Sequence, residues 1–485
     1  KWALTPGQGL NERRCISRDV LGLYGCIVTY AVYTCTSTDT DPLRHDMVMQ
    51  ALARCCAEHH MLAAAIVDFE MEAPQFANPQ RMDLKDHVRM LQSTESRDHG
   101  GDDFCGFLEA IHNDSLYENG VVRQPWRLYI QPFSTVSPSS VKRFGVAFAC
   151  SHALADGASA IMFHTSFLKA LRHTGDQGLD AKPLWDPIPA LNVPPPLERA
   201  ASLSISWLFF LKAVSSSILP RTVAQALGAS SAGTGNIWTG SPQRPGRPSL
   251  PQLLRTTLCV RQICGVVVGE ALAACRKRKV RLTGLLTVLT CRALCAALRL
   301  RGQQYSRFAV ETALDLRRCV PQAQNRMGNI VSAVNDTIAV SSSRTITQEE
   351  WTQAQHLTAR LSEASSTLAD QPVALLKYLS NIRDWVVERA SKPSDLSFGI
   401  SNVGAFDGGN DGSSADMPSW TVDDMVFSQS ADGTGPPFNL NVASTKGGSL
   451  NLVATWWPGM LGVKGESEFM DAVLDSLEVQ MRELS

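Results

Sequence analysis

The most constraining stretch of the chain is Phe144–Cys150, an almost unbroken apolar run that opens straight into Ser151-His152-Ala153-Leu154-Ala155-Asp156-Gly157. Beyond it, Ala160, Phe163, Phe167, Ala170 and Leu171 recur at helical spacing. A run that is apolar at nearly every position is a strand covered on both faces. The pattern therefore predicts a buried strand, a tight turn and an amphipathic helix, the unit of an α/β fold. The turn carries a His, an Asp four residues on and then a Gly to the mouth of a rigid sheet, where reactive groups are held and still reached by substrate. An imidazole with an unperturbed pKa near 6.5 can accept a hydroxyl proton at neutral pH. The same residues also have a purely structural reading: a histidine at a strand end and Asp156 as a helix N-cap.

At 485 residues the chain is too long for one core. We expect a domain over 1–182, a crossover over 183–251 and a second domain over 252–485. In the first half, a charged, irregular run over 11–22 precedes a strand over 23–33. Asp41 caps a helix with Pro42 at its first position and a stripe of Leu43, Met47, Val48, Ala51, Leu52 and Cys55. A strand over 62–69, a polar surface loop over 70–103, a helix over 104–116 and a strand entered at Arg123 complete the alternation. The helix after Asp156 stops at Gly175. Pro183, Pro187, Pro189 and Pro194–Pro196 read as a stiff linker, and Gly228–Pro251 as a second loose stretch. Between them, 205–219 is the most apolar segment, too short and too rich in Ser and Lys to span a bilayer. We read it as a helix packed on the core, with a helix lying on a membrane surface as the alternative.

The second half opens with a strand over 253–260. Two amphipathic helices follow, one burying Val267, Val268, Ala271, Leu272 and Cys275, the other Leu282, Leu285, Leu286, Leu289 and Leu298. A strand from Phe308 ends in Asp315-x-Arg317, and Gly328-Asn329 lies beyond it. A strand pair around 438–457 precedes a terminal amphipathic helix over 466–484.

His152-x-x-x-Asp156-Gly157 after a buried strand, together with Asp315-x-Arg317 followed by Gly328-Asn329, resembles the CoA-dependent acyltransferase superfamily. That group includes chloramphenicol acetyltransferase, the plant BAHD enzymes and peptide-synthetase condensation domains. Arg18-x-x-Leu21-Gly22 and Ser401-Asn402-x-Gly404 are similar to the fungal alcohol acetyltransferase branch. Ser151 stands where condensation domains carry a second His. The plant-type Asp-Phe-Gly-Trp-Gly box is absent, and Asp424-Met-Val-Phe-Ser-Gln-Ser430 is its nearest counterpart.

The resemblance implies two α/β chloramphenicol-acetyltransferase-like domains, with mixed sheets flanked by helices and a tunnel at their interface. It implies an acyl-CoA-dependent O-acyltransferase, an O-acetyltransferase by preference, acting on a hydroxyl of a small molecule such as a fungal secondary metabolite. His152 would be the general base. Asp156 would fix the loop by pairing with Arg317, or with Arg18 as a fallback. Gly157 would allow the turn its unusual backbone angles, and Asp315 belongs to the structural motif. Asn402, Ser428 and Ser430 are oxyanion or substrate candidates, each equally a turn residue bonding its own backbone. Acetyl-CoA or another acyl-CoA is the expected cosubstrate, with no bound cofactor. The alternatives are an N-acyltransferase or a condensation-type enzyme with a carrier-bound donor, and a non-catalytic ligand-binding relative.

A net charge of −1 gives no basic field for nucleic acid. Residues 1–20 hold no apolar core segment, so no signal peptide is expected and the cytoplasm is the expected compartment, with the protein a monomer. Thirteen cysteines scattered through apolar segments, among them Cys26, Cys150 and Cys291, read as reduced, buried small hydrophobes. No metal is expected. Cys55, Cys56, His59 and His60 lack a second ligand pair, His152, Asp156 and His164 lack a third ligand at zinc spacing, and Pro418 stands at the twelfth place of the calcium-like loop from Asp407. The basic run Cys275–Arg281 reads first as charge suited to a helix C-terminus, and second as a contact for CoA phosphates.

Overall fold

The computed structural model describes residues 3–4, 8–35, 45–79, 81–93, 102–117, 123–133, 142–173, 184–185, 192–218, 237–244, 255–409 and 420–484. The cap expected at Asp41 and Pro42, Leu43, the prolines at 183, 187 and 189, and all of 228–251 except 237–244 lie outside them.

The first half contributes strands β1 (Ile27–Cys35), β2 (Val88–Met90), β3 (Trp126–Pro132) and β4 (Lys142–Cys150). The second contributes β5 (Thr257–Ile263), β6 (Arg307–Asp315), β7 (Val331–Ala339), β8 (Phe398–Phe406), β9 (Trp420–Gln429), β10 (Phe438–Thr445) and β11 (Leu450–Trp456). They form two mixed sheets, ordered β9-β1-β4-β3-β2 and β5-β11-β10-β8-β6-β7. The helices are α1 (Leu10–Val20), α2 (His45–Glu58), α3 (Asp102–His112), α4 (Gly157–Arg172), α5 (Trp207–Ile218), α6 (Gly265–Arg278), α7 (Leu282–Arg299), α8 (Gln348–Ala364), α9 (Ile382–Ser391) and α10 (Glu466–Arg482).

β4 is the central strand of the first sheet. It pairs antiparallel with β1 and β3, and its last residue, Cys150, lies opposite both Ile27 and Trp126. Its apolar residues pack under α4: the Phe148 and Phe163 rings stack with centroids 4.0 Å apart. Burial on both faces explains why the run shows no alternation. β9, from the far end of the sequence, adds to this sheet along β1, so the second half completes the sheet of the first. The second core is built on α7, which is long and apolar enough to cross a membrane but is mostly buried within the fold, against Phe308, Phe398 and Phe438 among others.

Four expectations are corrected. The charged run over 11–22 is largely the helix α1, and the strand begins at Ile27. Asn11, Glu12, Ser17 and Arg18 of α1 are buried beside Cys15 and Ile16, so its inward face is mixed and leaves no regular apolar period to read. The span 62–69 is a 3-10 turn, His60–Ala63, followed by a three-residue strand, Ala65–Val67. Residues 70–103 are not simply a loop. They hold the strands Gln75–Asn78, Met82–Asp83 and β2, each too short to display alternation. The apolar segment over 205–219 holds a helix, α5, but its described first half is not packed into the core: Trp207, Leu208 and Leu211 are 79%, 80% and 59% exposed. Among the described residues, Phe210 anchors it, with its ring centroid 4.7 Å from that of Tyr378.

Candidate active site

At the end of β4 the main chain turns away from the sheet, with Ser151 N donating to Pro125 O at 2.9 Å. Asp156 then caps α4. Its Oδ1 accepts from Ser159 N at 2.8 Å and Ser159 Oγ at 2.9 Å, and its Oδ2 accepts from Ile330 N at 2.9 Å. Arg317, just beyond β6, donates to both carboxylate oxygens, Nη1 to Oδ2 at 2.8 Å and Nη2 to Oδ1 at 3.0 Å. The cap and the ion pair are therefore not alternatives; one carboxylate does both. Asp315 Oδ1 accepts from Arg317 Nη1 at 2.9 Å and holds the guanidinium from the other side. Burial alone would raise the Asp156 pKa, but the Arg317 guanidinium and the surrounding donors hold it below the usual carboxylate range.

Gly157 is required for a reason other than the expected one. Its φ is not positive. A methyl there would sit 2.6 Å from Val403 Cγ1 and 3.2 Å from the Phe427 ring, so glycine is what lets α4 start hard against β8 and β9.

His152 is partly exposed. Its carbonyl accepts from Asn329 Nδ2 at 2.8 Å, and among the described residues its Nδ1 has no partner. Its ring centroid lies 6.0 Å from that of Tyr24, which in turn sits under the Arg18 guanidinium at 4.6 Å. Burial, then the positive charge of Arg18, lowers the His152 pKa to about 4, so the imidazole is neutral at pH 7.

Arg18 does not serve Asp156. It pairs with Asp432, Nη1 to Oδ2 at 2.6 Å, both side chains largely buried. The sequence reading missed the rest of α1's contribution. Asp19 accepts from Ser151 Oγ at 2.6 Å, beside the histidine, and burial pushes its pKa up to about 7. Glu12 is buried, its Oε2 is without a partner among the described residues, and burial, then the charge of Glu198, pushes its pKa up to about 8. The only sequence trace of this cluster was a density of charge in a segment short of apolar residues.

The three oxyanion candidates have partners elsewhere. Ser428 Oγ and Ser430 Oγ flank the buried His112, at 2.7 Å from Nε2 and 3.0 Å from Nδ1. Ser430 Oγ also accepts from Cys26 N at 2.9 Å. Asn402 donates to Thr283 Oγ1 at 3.1 Å and accepts from Gly404 N at 2.9 Å. Among the described residues none of the three hydrogen-bonds to His152. His164 lies 2.8 Å from Tyr33 OH and 3.0 Å from Thr29 Oγ1, and His59 lies 2.8 Å from Ser166 Oγ. In the basic run, Arg278 donates to Gln348 Oε1 at 2.9 Å and lies over Trp351, as an exposed helix end does. Asp407 pairs with Lys446 at 3.0 Å; residues 410–413 and Pro418 lie outside the described residues.

Comparison with known proteins adds the following. A family model described as alcohol acetyltransferase matches residues 89–477. The chain is 21% identical, over 97% of its length and 93% of the relative's, to a probable alcohol acetyltransferase, FCK4, of Fusarium pseudograminearum. Its fold is similar to that of the trichothecene 15-O-acetyltransferase TRI3 of Fusarium sporotrichioides, with a TM-score of 0.67 and 12% identity, covering 99% of this chain and 97% of that one. It is also similar to the first condensation domain of the CDA synthetase, with a TM-score of 0.59 and 12% identity, covering 99% and 97%.

Proposed function

Because the chain belongs to the alcohol acetyltransferase family, we propose that it transfers an acetyl group from acetyl-CoA to a hydroxyl of a small molecule, with His152 as the general base. The observation that carries this is a neutral, partly exposed imidazole at the end of a buried strand, with the Asp156–Arg317 pair fixing the turn that presents it. His152 takes the hydroxyl proton as the oxygen attacks the acyl carbon. The tetrahedral oxyanion collapses, the C–S bond breaks, and the departing thiolate receives the proton back from the imidazolium. Ester and free CoA are the products, and no covalent enzyme intermediate is needed. The base must be unprotonated to act, and the lowered pKa keeps it so throughout the physiological range. The two substrates would approach from opposite faces along a passage at the junction of the halves. The acceptor we propose is a fungal secondary metabolite, a reading supported by the trichothecene named for the fold neighbour TRI3.

The test is free-thiol release from acetyl-CoA with a panel of alcohols. His152→Ala is expected to lose roughly 10²–10⁴-fold in rate, the usual contribution of a positioned general base. Absence of thiol release from every acyl-CoA and alcohol tried, or full turnover by His152→Ala, overturns the proposal.

A further inference from the structure

α1 carries three arginines, and two of them are committed. Arg13 donates to Glu72 O at 3.0 and 2.8 Å, and Arg18 pairs with Asp432. Arg14 donates to nothing among the described residues: its Nε is sealed from water, whereas Nη1 and Nη2 are not. A guanidinium does not shed its charge, so Arg14 remains a cation with unfilled donors. No ionised carboxylate among the described residues takes it. Asp432 is held by Arg18, Glu12 is largely protonated at pH 7, and Glu311 of β6 forms no ion pair with it.

The helix register brings Arg14 to the catalytic turn. Asn11, Arg14, Cys15 and Arg18 follow at three- and four-residue steps and share one face. Asn11 Nδ2 donates to Asn329 Oδ1 at 2.9 Å, and Asn329 Nδ2 donates to the His152 carbonyl at 2.8 Å and to Cys15 Sγ at 3.3 Å. Arg18 lies over Tyr24, beside the imidazole. Burial raises the Glu311 pKa against the charge of Arg14, and Arg14 adds to burial and Arg18 in lowering that of His152. Its charge therefore reaches both groups. Both are desolvated, yet each keeps part of its surface open. A side chain that is surrounded and still reached by water faces an internal space.

We propose that Arg14 anchors the acceptor substrate and that this acceptor is a hydroxy acid, its carboxylate held by the guanidinium while its hydroxyl lies at His152. The planar fork of an arginine matches a carboxylate with two parallel N–H···O bonds, and partial burial strengthens them. The fate of the hydroxyl rests on the transferase reading; the binding of the acid does not.

The probes are mandelate and mandelamide, nearly equal in shape and differing in charge, titrated calorimetrically into the full chain without acyl donor. Mandelate binds saturably and roughly tenfold or more tightly than mandelamide, the effect of charge-assisted hydrogen bonds. Arg14→Met removes the preference by weakening mandelate alone. Arg14→Lys keeps part of it, as a cation without the fork. Equal affinity for the two probes, no saturable binding of mandelate, or a preference that survives Arg14→Met overturns the proposal. So does an equal loss of both ligands in Arg14→Met, since the side chain would then only support α1. Thiol release from acetyl-CoA separates the two readings. Release with neutral alcohols and no preference for the acid sinks the anchor and leaves the transferase reading. Arg14-dependent binding of mandelate, with no thiol release from any acyl-CoA and alcohol tried, leaves the anchor and sinks the transferase reading.

Discussion

Asp156 and Arg317 lie about 160 residues apart in sequence and are 0% and 4% exposed. Removing either partner strands the other charge out of water. Asp156→Ala leaves the guanidinium with Asp315, a half-exposed partner, and deprives α4 of its N-cap. The expected loss is about 3–5 kcal/mol for the orphaned charge and about 1 kcal/mol for the cap. Arg317→Met leaves a buried carboxylate, at about 3–5 kcal/mol again. The double variant buries no unpaired charge, so it should be more stable than the sum of the singles by roughly 3 kcal/mol or more. The assay is urea unfolding of the four proteins, read as the double-mutant cycle. The pH sign follows from a folded-state pKa below the unfolded value near 3.9: the pair's stabilisation is present above that value and is lost as pH falls through the folded pKa. If Asp156→Ala costs under about 1 kcal/mol, as an exposed pair would, or if the singles simply add, the argument that this pair clamps the catalytic turn is wrong.

Three other outcomes are expected. With a His152 pKa of about 4, the acid limb of kcat/KM should fall near pH 4, with no loss of the base between pH 7 and 5; a limb at 6.5 would mean that the ring is not desolvated. Glu12, with a pKa of about 8 against an unfolded value near 4.3, costs stability as pH rises from about 4.3 toward 8. Glu12→Gln should therefore raise the urea midpoint at pH 7.5 and have little effect at pH 4; the reverse order would refute its buried, neutral state. Trp207→Ser, at a side chain 79% exposed, should change stability by less than about 0.5 kcal/mol, whereas a core tryptophan would cost about 3–5 kcal/mol in the same unfolding measurement.

Much of the candidate site could be read before any coordinates. β4, the turn and α4 are contiguous, and contiguous patterns report local structure: a two-sided buried strand is apolar throughout, and a helix repeats its apolar face. Glu12, Asp19 and Tyr24 were not legible, because they are buried by remote parts of the chain and leave no period of their own. The exposed face of α5 was misread for the converse reason. Composition says that a segment is apolar but not whether anything lies over it.

The sequence by itself determined the two kinds of layer, the strand-turn-helix that carries His152 and Asp156, and the resemblance that singled out Arg317. Only the tertiary structure decided that β9 crosses into the first sheet, that Gly157 answers to space rather than to φ, and that α1 forms the polar wall behind the imidazole. The division has one cause. Patterns along a chain encode which faces are buried, whereas pairings between distant segments depend on which buried faces meet, and that is fixed only when both halves have packed.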